Sequence, residues 1–137
     1  YRIDAGSAPE QIIAMLEEKL YEHNSKRIGK GGGDLFCRVV RSSGDEIIGG
    51  VAGWIWAGAC EISQLWVDER VRGEGIGQLL LGAAEEEARS RGGVTVLIRS
   101  FSFQAPQFYV KNGYRVEHVI DDFPPGYRYY ILMKAIV

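Results

Sequence analysis

The sequence predicts one mixed α/β domain that covers residues 1–137. Short apolar runs typical of strands are interspersed with two stretches whose apolar residues recur at helical spacing. The chain has 137 residues, of which 46% are hydrophobic, so it is long enough to bury a core but too short for several domains. Glycine-containing segments separate most of the runs, as expected at turns between elements.

The elements are predicted in a simple order. Tyr1 to Asp4 forms a short extended start, and because the chain does not begin with methionine we expect this first strand to be incomplete. A helix follows, with Ser7 as its cap, Pro9 in its first turn and Glu10 in a capping box, and with apolar spacing to about residue 22. The other predicted elements are strands over 35–41, 46–56, 60–67, 94–99, 114–120 and 127–134, and a helix over 75–91.

Composition and charge exclude several classes of protein. Sixteen basic against eighteen acidic residues give a formal charge of −2, which does not favour non-specific binding to nucleic acid. No apolar run approaches a membrane span of about 18 residues, and no signal-peptide pattern opens the chain. We therefore expect a cytoplasmic protein without a membrane partner, in which Cys37 and Cys60 are reduced core residues. His23 and His118 are isolated, so no metal site is predicted.

The segment 72–77 is the most informative part of the sequence. It reads Arg-Gly-Glu-Gly-Ile-Gly and joins an apolar strand to an amphipathic helix, whose acidic run Glu85–Glu87 is expected to face solvent. Glycine lets the backbone approach a ligand closely, and the N–H groups in the first turn of a helix lack partners within the helix. Together these features predict a backbone cradle for a phosphate or pyrophosphate.

Two common phosphate-binding motifs do not match this segment. A dinucleotide fingerprint requires Gly-x-Gly-x-x-Gly and an acidic residue about 20 positions later. Here the glycines alternate, and the region around 95–97 has no carboxylate. A Walker loop requires Gly-Lys-Ser/Thr, which is absent both here and from the glycine-rich tract 29–34, a predicted flexible connector.

A third pattern does match. Residues 72–77 fit the signature Q/R-x-x-G-x-G/A, and residues 103–114 contain an aromatic-Tyr pair followed by Gly-Tyr. In this order and spacing, the two blocks resemble the GNAT N-acetyltransferase superfamily over roughly residues 46–120. The resemblance implies a twisted, mixed, mostly antiparallel sheet of six to seven strands flanked by about four helices. It also implies that acetyl-CoA is the co-substrate, and the isolated histidines predict no metal.

The resemblance assigns the coenzyme to the strand before the cradle, to the cradle and to the second block. The strand should part from its parallel neighbour, so that its backbone pairs with the pantetheine arm and one amide polarises the acetyl carbonyl. Arg72 would contact phosphate, Glu74 would face solvent and contribute only its backbone, and Gln104 stands where relatives often have Asn. The implied cofactor-binding residues are Leu65, Trp66, Val67, Arg72, Gly73, Glu74, Gly75, Ile76, Gly77 and Gln104.

Two residues are candidates for proton transfer. Tyr109 matches the tyrosine that many relatives hold near the coenzyme sulfur, where a phenol can protonate a departing thiolate. Glu61 lies on the strand that enters the site and could accept a proton from the amine, directly or through water. Alternatively, Glu61 is an ordinary strand carboxylate that faces water. The proton of the amine could equally be accepted by water together with backbone carbonyls.

The implied activity is acetyl-CoA-dependent N-acetylation of a primary amine by direct transfer in a ternary complex. The acceptor is a small-molecule or protein amine. Because many relatives form dimers, a homodimer is a possible oligomeric state. The alternatives are a non-catalytic acyl-CoA sensor, an acyltransferase with another donor or an O-linked acceptor, and, more distantly, a mononucleotide-binding domain. Candidates for an acceptor pocket or for the core are Trp54, Trp56, Trp66, Tyr127, Tyr129 and Tyr130.

Overall fold

The computed structural model describes all 137 residues, which divide into the units Tyr1–Gly32 and Gly33–Val137. The first unit contains helix α1, Pro9–Ile28, which extends beyond the predicted end near residue 22. Pro9 is in the first turn as expected, but the cap is Ala8 in a left-handed conformation, without a side-chain bond, so the predicted cap at Ser7 is wrong. Residues 1–6 belong to no helix or strand.

The second unit is a six-stranded sheet in the order β1-β2-β3-β4-β6-β5. Every neighbouring pair is antiparallel except β3 and β4, so the predicted mixed, mostly antiparallel sheet is confirmed. Three α-helices and one 3-10 helix occur in the whole chain, close to the four helices expected. The elements of this unit are β1 Asp34–Arg41, β2 Ile47–Trp56, β3 Ala59–Val67, the 3-10 helix Glu69–Val71, α2 Ile76–Ser90, β4 Thr95–Phe101, α3 Pro106–Lys111, β5 Arg115–Asp121 and β6 Arg128–Ala135.

The core of this unit lies between α2 and one face of the sheet. Helix α2 packs against β1, β2 and β3. Gly49 of β2 permits the close approach, because a Cβ there would stand 3.2 Å from side-chain atoms of both Ile76 and Leu80. The buried apolar residues are Phe36, Val51, Ile55, Cys60, Ile62, Leu80, Leu81, Ala84, Ala88, Val96, Ile98, Tyr109, Tyr114, Leu132 and Ile136.

A bulge shapes β3 before it reaches the cradle. The register with β2 shifts where Ala52 pairs with Gln64 and Gly53 pairs with Ile62, so Ser63 is the extra residue. Glycine is required at position 53, because an added Cβ would lie 1.9 Å from the backbone oxygen of Glu61. The bulge therefore brings the two strands unusually close and re-aims the last part of β3.

The two cysteines differ in their environments. Cys60 is buried, and burial, with smaller contributions from the negative charges of Glu61 and Glu85, raises the pKa of its thiol to about 11. Cys37 is exposed, so the expectation that it belongs to the core is wrong: its neighbour Phe36 faces α2, and alternation turns Cys37 to the opposite side. None of the helices has both the length and the hydropathy needed to span a bilayer.

A buried polar cluster joins α2 to the far end of the sheet. Glu85 is 7% exposed, which corrects the expectation that the acidic run faces solvent at this position. The hydroxyl of Tyr114 donates to its carboxylate at 2.8 Å, and the ammonium of Lys134 lies 3.1 Å from both oxygens. Lys134 also donates to the carbonyl of Asn112, so the ends of α3 and β6 share one network.

Candidate functional site

The two parallel strands separate partway along their length. Pairing between β3 and β4 begins at Ala59 and Thr95 and ends at Ile62 and Ile98. Both strands continue beyond that point, to Val67 and Phe101, without pairing with each other. The result is the gap between these two strands that the resemblance implied, along which their backbones do not bond to each other.

A cavity of about 890 Å³ opens at this gap. It lies entirely within the second unit and contains every candidate site residue except Glu61 and Glu74. The lining residues are Ile62, Ser63, Gln64, Leu65, Trp66, Val67, Val71, Arg72, Gly73, Gly75, Ile76, Gly77, Gln78, Ile98, Arg99, Ser100, Phe103, Gln104, Ala105, Phe108 and Tyr109. Local sequence reasoning therefore identified the wall formed by β3 and the cradle, but not the part of the wall contributed by β4.

The loop that leads into α2 has the geometry of an anion cradle. Gly73 and Gly75 adopt φ values of +83° and +81°, and no atom lies within 4 Å of a Cβ added at either position. Gly75 caps α2 without a side chain, and the N–H of Leu79 bonds to the carbonyl of Gly75 at 3.1 Å. The N–H groups in the first turn before Leu79 therefore have no partner within the helix, and the positive end of the helix dipole faces the cleft.

Gly77 serves a different purpose from the other two glycines. A Cβ at this position would stand 3.3 Å from the ring of Phe108 and 3.8 Å from the side chain of Val67. The 3.3 Å spacing to Phe108 is tighter than most real contacts, whereas 3.8 Å is ordinary, so the missing side chain lets α3 pack against the start of α2. Gly77 therefore positions the wall of the cleft, whereas Gly73 and Gly75 supply the backbone conformation.

Two arginines near the cradle have different partners. Arg70 pairs with Glu46 at 2.8 Å and with Asp68 at 2.6 Å, and its hydrogen bonds to Asp68 lower the pKa of that carboxyl to about 2. Arg72 instead donates from Nε to the carbonyl oxygen of Val67 at 3.2 Å and lines the cavity. Arg72 is therefore the cation available to a phosphate at the cradle, since the charge of Arg70 is already neutralised.

The backbone of β3 points alternately toward β2 and toward the cleft. The N–H of Asp68 bonds to the carbonyl of Ile48 in the β2 direction at 2.8 Å, whereas the Val67 carbonyl accepts from Arg72 on the cleft side. By the alternation of an antiparallel ladder, Leu65 shares the orientation of Val67, and Trp66 directs its backbone groups toward β2. Leu65 and Val67 are thus the residues whose backbone can pair with an extended ligand.

Tyr109 is buried in the wall of the cavity. It is 9% exposed, and its ring packs edge-on against Phe108 and Tyr114, with centroids 5.2 Å and 6.0 Å away. Burial raises the pKa of its phenol above the ordinary value of 10, so the hydroxyl stays protonated at neutral and mildly alkaline pH. Such a group can donate a hydrogen bond to a developing anion in the cleft.

Gln104 and Glu61 have local partners. The Oε1 atom of Gln104 accepts a 2.7 Å bond from the N–H of Phe101, so its amide NH₂ is the part left for a ligand. Glu61 lies outside the lining, and its Oε1 accepts from Arg99 at 3.2 Å. Arg99 does line the cavity, so the pair stands at the edge of the cleft rather than within it. Glu74 is exposed and outside the lining.

Sequence reasoning missed the lining residues that come from β4 and the loop after it. Arg99 and Ser100 line the cavity because β4 has already parted from β3 at that point, and Phe103 follows in the next loop. Ser100 is 2% exposed and bonds to the carbonyl of Phe101. The available signal was a charged residue within an otherwise apolar strand, Arg99, which the strand pattern alone did not connect to the cleft.

Comparison with known proteins places this geometry in context. Residues 33–116 match the family described as "Acetyltransferase (GNAT) domain". The chain is 38% identical over 95 residues to blasticidin-S acetyltransferase of Streptomyces morookaense, which covers 66% of this chain and 68% of that protein. The crystal structure of an acetyltransferase from Bacillus cereus ATCC 14579 superposes with a TM-score of 0.81 at 34% identity, covering 98% of this chain and 97% of the other. An aminoglycoside 6′-N-acetyltransferase complexed with coenzyme A shares the fold, with a TM-score of 0.69 at 19% identity over 75% of this chain and 73% of the other.

Proposed function

Because the chain belongs to the GNAT acetyltransferase family, we propose that it transfers an acetyl group from acetyl-CoA to a primary amine. One observation carries the proposal: the cradle, the free edge of β3 and Tyr109 all line the same cavity. The relative that acetylates blasticidin-S supports a small molecule as the acceptor. Acetyl-CoA supplies the activated acetyl thioester, and the residues of this chain bind it, orient it and move protons.

The cleft fits the parts of acetyl-CoA one by one. The unpartnered N–H groups at the start of α2 and the guanidinium of Arg72 would hold the pyrophosphate. The backbone of Leu65 and Val67 would pair with the amides of the pantetheine arm, and an amide on this edge would polarise the acetyl carbonyl. The NH₂ of Gln104 would add a hydrogen bond from the opposite wall.

Two protons must move during the reaction. An alkyl ammonium loses one proton before attack, and its nitrogen loses a second as it bonds to the acetyl carbon and the carbon–sulfur bond breaks. The sulfur gains one proton, so one proton is released to solvent overall. Neutralising an alkyl ammonium at pH 7 costs about 4 to 5 kcal/mol. We assign removal of that proton to Glu61, acting through water because the carboxylate stands outside the lining. Tyr109 donates from its hydroxyl to the departing sulfur.

Direct transfer requires no covalent intermediate on the protein. Cys60 is buried in the core, and its raised pKa keeps the thiol protonated at neutral pH, so it is a poor nucleophile. Cys37 lies on β1, outside the cavity lining. The proposal is therefore a ternary complex in which amine and acetyl-CoA are bound at the same time.

The test combines ligand binding with turnover. Acetyl-CoA at a hundredfold excess over its Kd should stabilise the protein by about 2.7 kcal/mol in a thermal-shift assay, whereas ATP and NAD should not. Release of free thiol should then be measured with a panel of amines. Tyr109→Phe should lower kcat about a hundredfold and leave acetyl-CoA binding unchanged, while the control Tyr130→Phe, which alters a tyrosine outside the cavity lining, should retain full activity.

The outcomes separate the rival functions. Stabilisation by acetyl-CoA without turnover of any amine would favour a non-catalytic sensor. Turnover with a longer acyl-CoA but not with acetyl-CoA would show that the donor is another acyl-CoA bound in the same cleft. Full activity in Tyr109→Phe would contradict the role of its hydroxyl.

A further inference from the structure

Five aromatic rings form a continuous cluster beside the cleft. The aromatic cluster consists of Phe101, Phe103, Phe123, Tyr127 and Tyr129. Phe101 and Phe103 stack with centroids 5.2 Å apart and planes 5° from parallel, and Tyr129 lies 4.6 Å from Phe101. Tyr127 meets Phe103, and Phe123 meets Tyr129, in edge-on contacts at 5.2 Å.

Backbone bonds hold the two segments that carry these rings together. Phe101 pairs with Tyr129 across β4 and β6. In the loop after β4, the N–H of Ser102 donates to the carbonyl of Arg128 at 2.8 Å, and the N–H of Arg128 donates to the Ser102 hydroxyl at 3.1 Å. The loop that contains Phe103 is thereby fixed to the start of β6, so the aromatic cluster is preformed.

The aromatic cluster continues the cleft on the sheet face opposite α2. Phe103 belongs both to the cluster and to the cavity lining. Ile98 and Ser100 of β4 are buried, so the alternate residues Arg99 and Phe101 turn to the other face. The cradle lies at the start of α2, which packs on the first face. The nucleotide ring of acetyl-CoA is attached to its pyrophosphate, so the cradle would hold that ring on the side away from the aromatic cluster. The aromatic cluster would then be free to bind the acceptor.

The exposure of these rings indicates that the aromatic cluster binds an apolar group. Phe103, Phe123 and Tyr127 are 58%, 52% and 52% exposed, which is unusual for large rings already packed against one another. Of the nearby carboxylates, Asp121 is paired with Arg128 at 3.1 Å, and Asp122 accepts a hydrogen bond from the N–H of Gly126. A neutral planar ring matches this surface better than a flexible polycation, since stacked and edge-on geometries favour another ring.

We propose that the aromatic cluster is the acceptor subsite and that it selects primary amines bearing a planar aromatic or heteroaromatic ring. This inference rests on the proposed acetyltransferase function and specifies its substrate class. The ring would rest against Phe103, Phe123 and Tyr127, and the amine would extend past Arg99 into the gap between β3 and β4.

The experiment compares two acceptors that differ only in ring type. Phenylpropylamine and cyclohexylpropylamine have similar size, and the three-carbon spacer keeps their amine basicities alike; a pyridyl analogue supplies the heteroaromatic arm. The ratio of kcat/KM values, aromatic over cyclohexyl, should exceed one in the wild type and fall about two- to tenfold in Tyr127→Leu and Phe123→Leu. Tyr127→Phe keeps the ring and should keep the ratio, and so should Tyr1→Leu, which removes an exposed ring outside the cluster.

The results distinguish failure of the proposed acceptor subsite from failure of the proposed acetyltransferase function. Turnover of both amines with a ratio near one, unchanged in the leucine variants, would overturn the acceptor subsite and leave the acetyltransferase function standing. A rise in KM for acetyl-CoA with an unchanged ratio would assign the cluster to the donor and also overturn the inference. Binding of acetyl-CoA without turnover of any amine would overturn both proposals. The melting temperature of each variant shows that a changed ratio comes from a folded protein.

Discussion

Replacing Gly75 by alanine separates the cost of a strained backbone from the loss of a ligand site. Gly75 has φ of +81°, lines the cavity and has nothing within 4 Å of an added Cβ, so the methyl group meets no protein atom. Gly92, at the end of α2, provides a matched control, because its φ is +80°, its surroundings are equally open, and it lies outside the lining. The two substitutions therefore impose the same conformational strain at different places.

The magnitudes follow from this pairing. A left-handed conformation costs an alanine about 1 to 2 kcal/mol, so both variants should lose that amount of unfolding free energy. Only Gly75→Ala also crowds or tilts the N–H groups offered to the pyrophosphate. Losing one hydrogen bond to a charged group, at about 1.5 to 3 kcal/mol, should raise the Kd for acetyl-CoA roughly tenfold to a hundredfold.

The assay is calorimetric titration with acetyl-CoA on both variants and the wild type, together with chemical denaturation. Gly92→Ala should bind acetyl-CoA like the wild type while showing the same loss of stability as Gly75→Ala. Equal Kd values in the two variants would refute the reasoning, because the backbone at position 75 would then contribute nothing to coenzyme binding.

Three other substitutions test the charges described above. Arg72→Gln should raise the Kd for acetyl-CoA about tenfold at low salt, whereas Arg70→Gln should change it less than about twofold, because Arg70 is already paired; titration calorimetry measures both, and equal effects would contradict the assignment. Glu85→Gln should lower the unfolding free energy by about 1.5 to 3 kcal/mol, since it removes the charge that strengthens the hydrogen bonds from Lys134 and Tyr114. Urea denaturation checks this value, and an unchanged midpoint would show that the buried pair adds no net stability.

Local patterns in the sequence predicted the strands because each strand repeats its signal over several residues. The structural bounds of β1, β2 and β3 differ from the predicted ones by a single residue. The cap of α1 was less predictable, because a cap depends on the conformation of one residue. Ser7 has the preferred side chain, yet the helix begins after Ala8, whose left-handed backbone turns the chain into Pro9 without a side-chain bond.

Burial of a single charge depends on a partner that local patterns do not reveal. Glu85 falls on the same stripe of α2 as Leu81 and Ala88, so its spacing alone indicates an inward position. What the sequence lacks is a sign that Lys134, on the far strand β6, and the hydroxyl of Tyr114 meet it there. Without those partners an inward carboxylate would be strongly disfavoured, which is why a solvated face was expected.

The candidate site also has one part that local sequence predicts and one part that depends on contacts between distant segments. The cradle and the edge of β3 lie within thirteen consecutive residues, 65–77, so their chemistry could be predicted from composition and order. Arg99 and the aromatic cluster reach the proposed site only because β4 stops pairing with β3 after Ile98, while its pairing with β6 along the other edge continues to Phe101. That divergence depends on the bulge opposite Gly53 and on pairing between distant strands. The proposed donor side of the cleft is thus encoded locally, whereas the proposed acceptor side depends on tertiary structure. Under this proposal, changes in β4, β5 and β6 would alter the acceptor preference while the cradle stays the same.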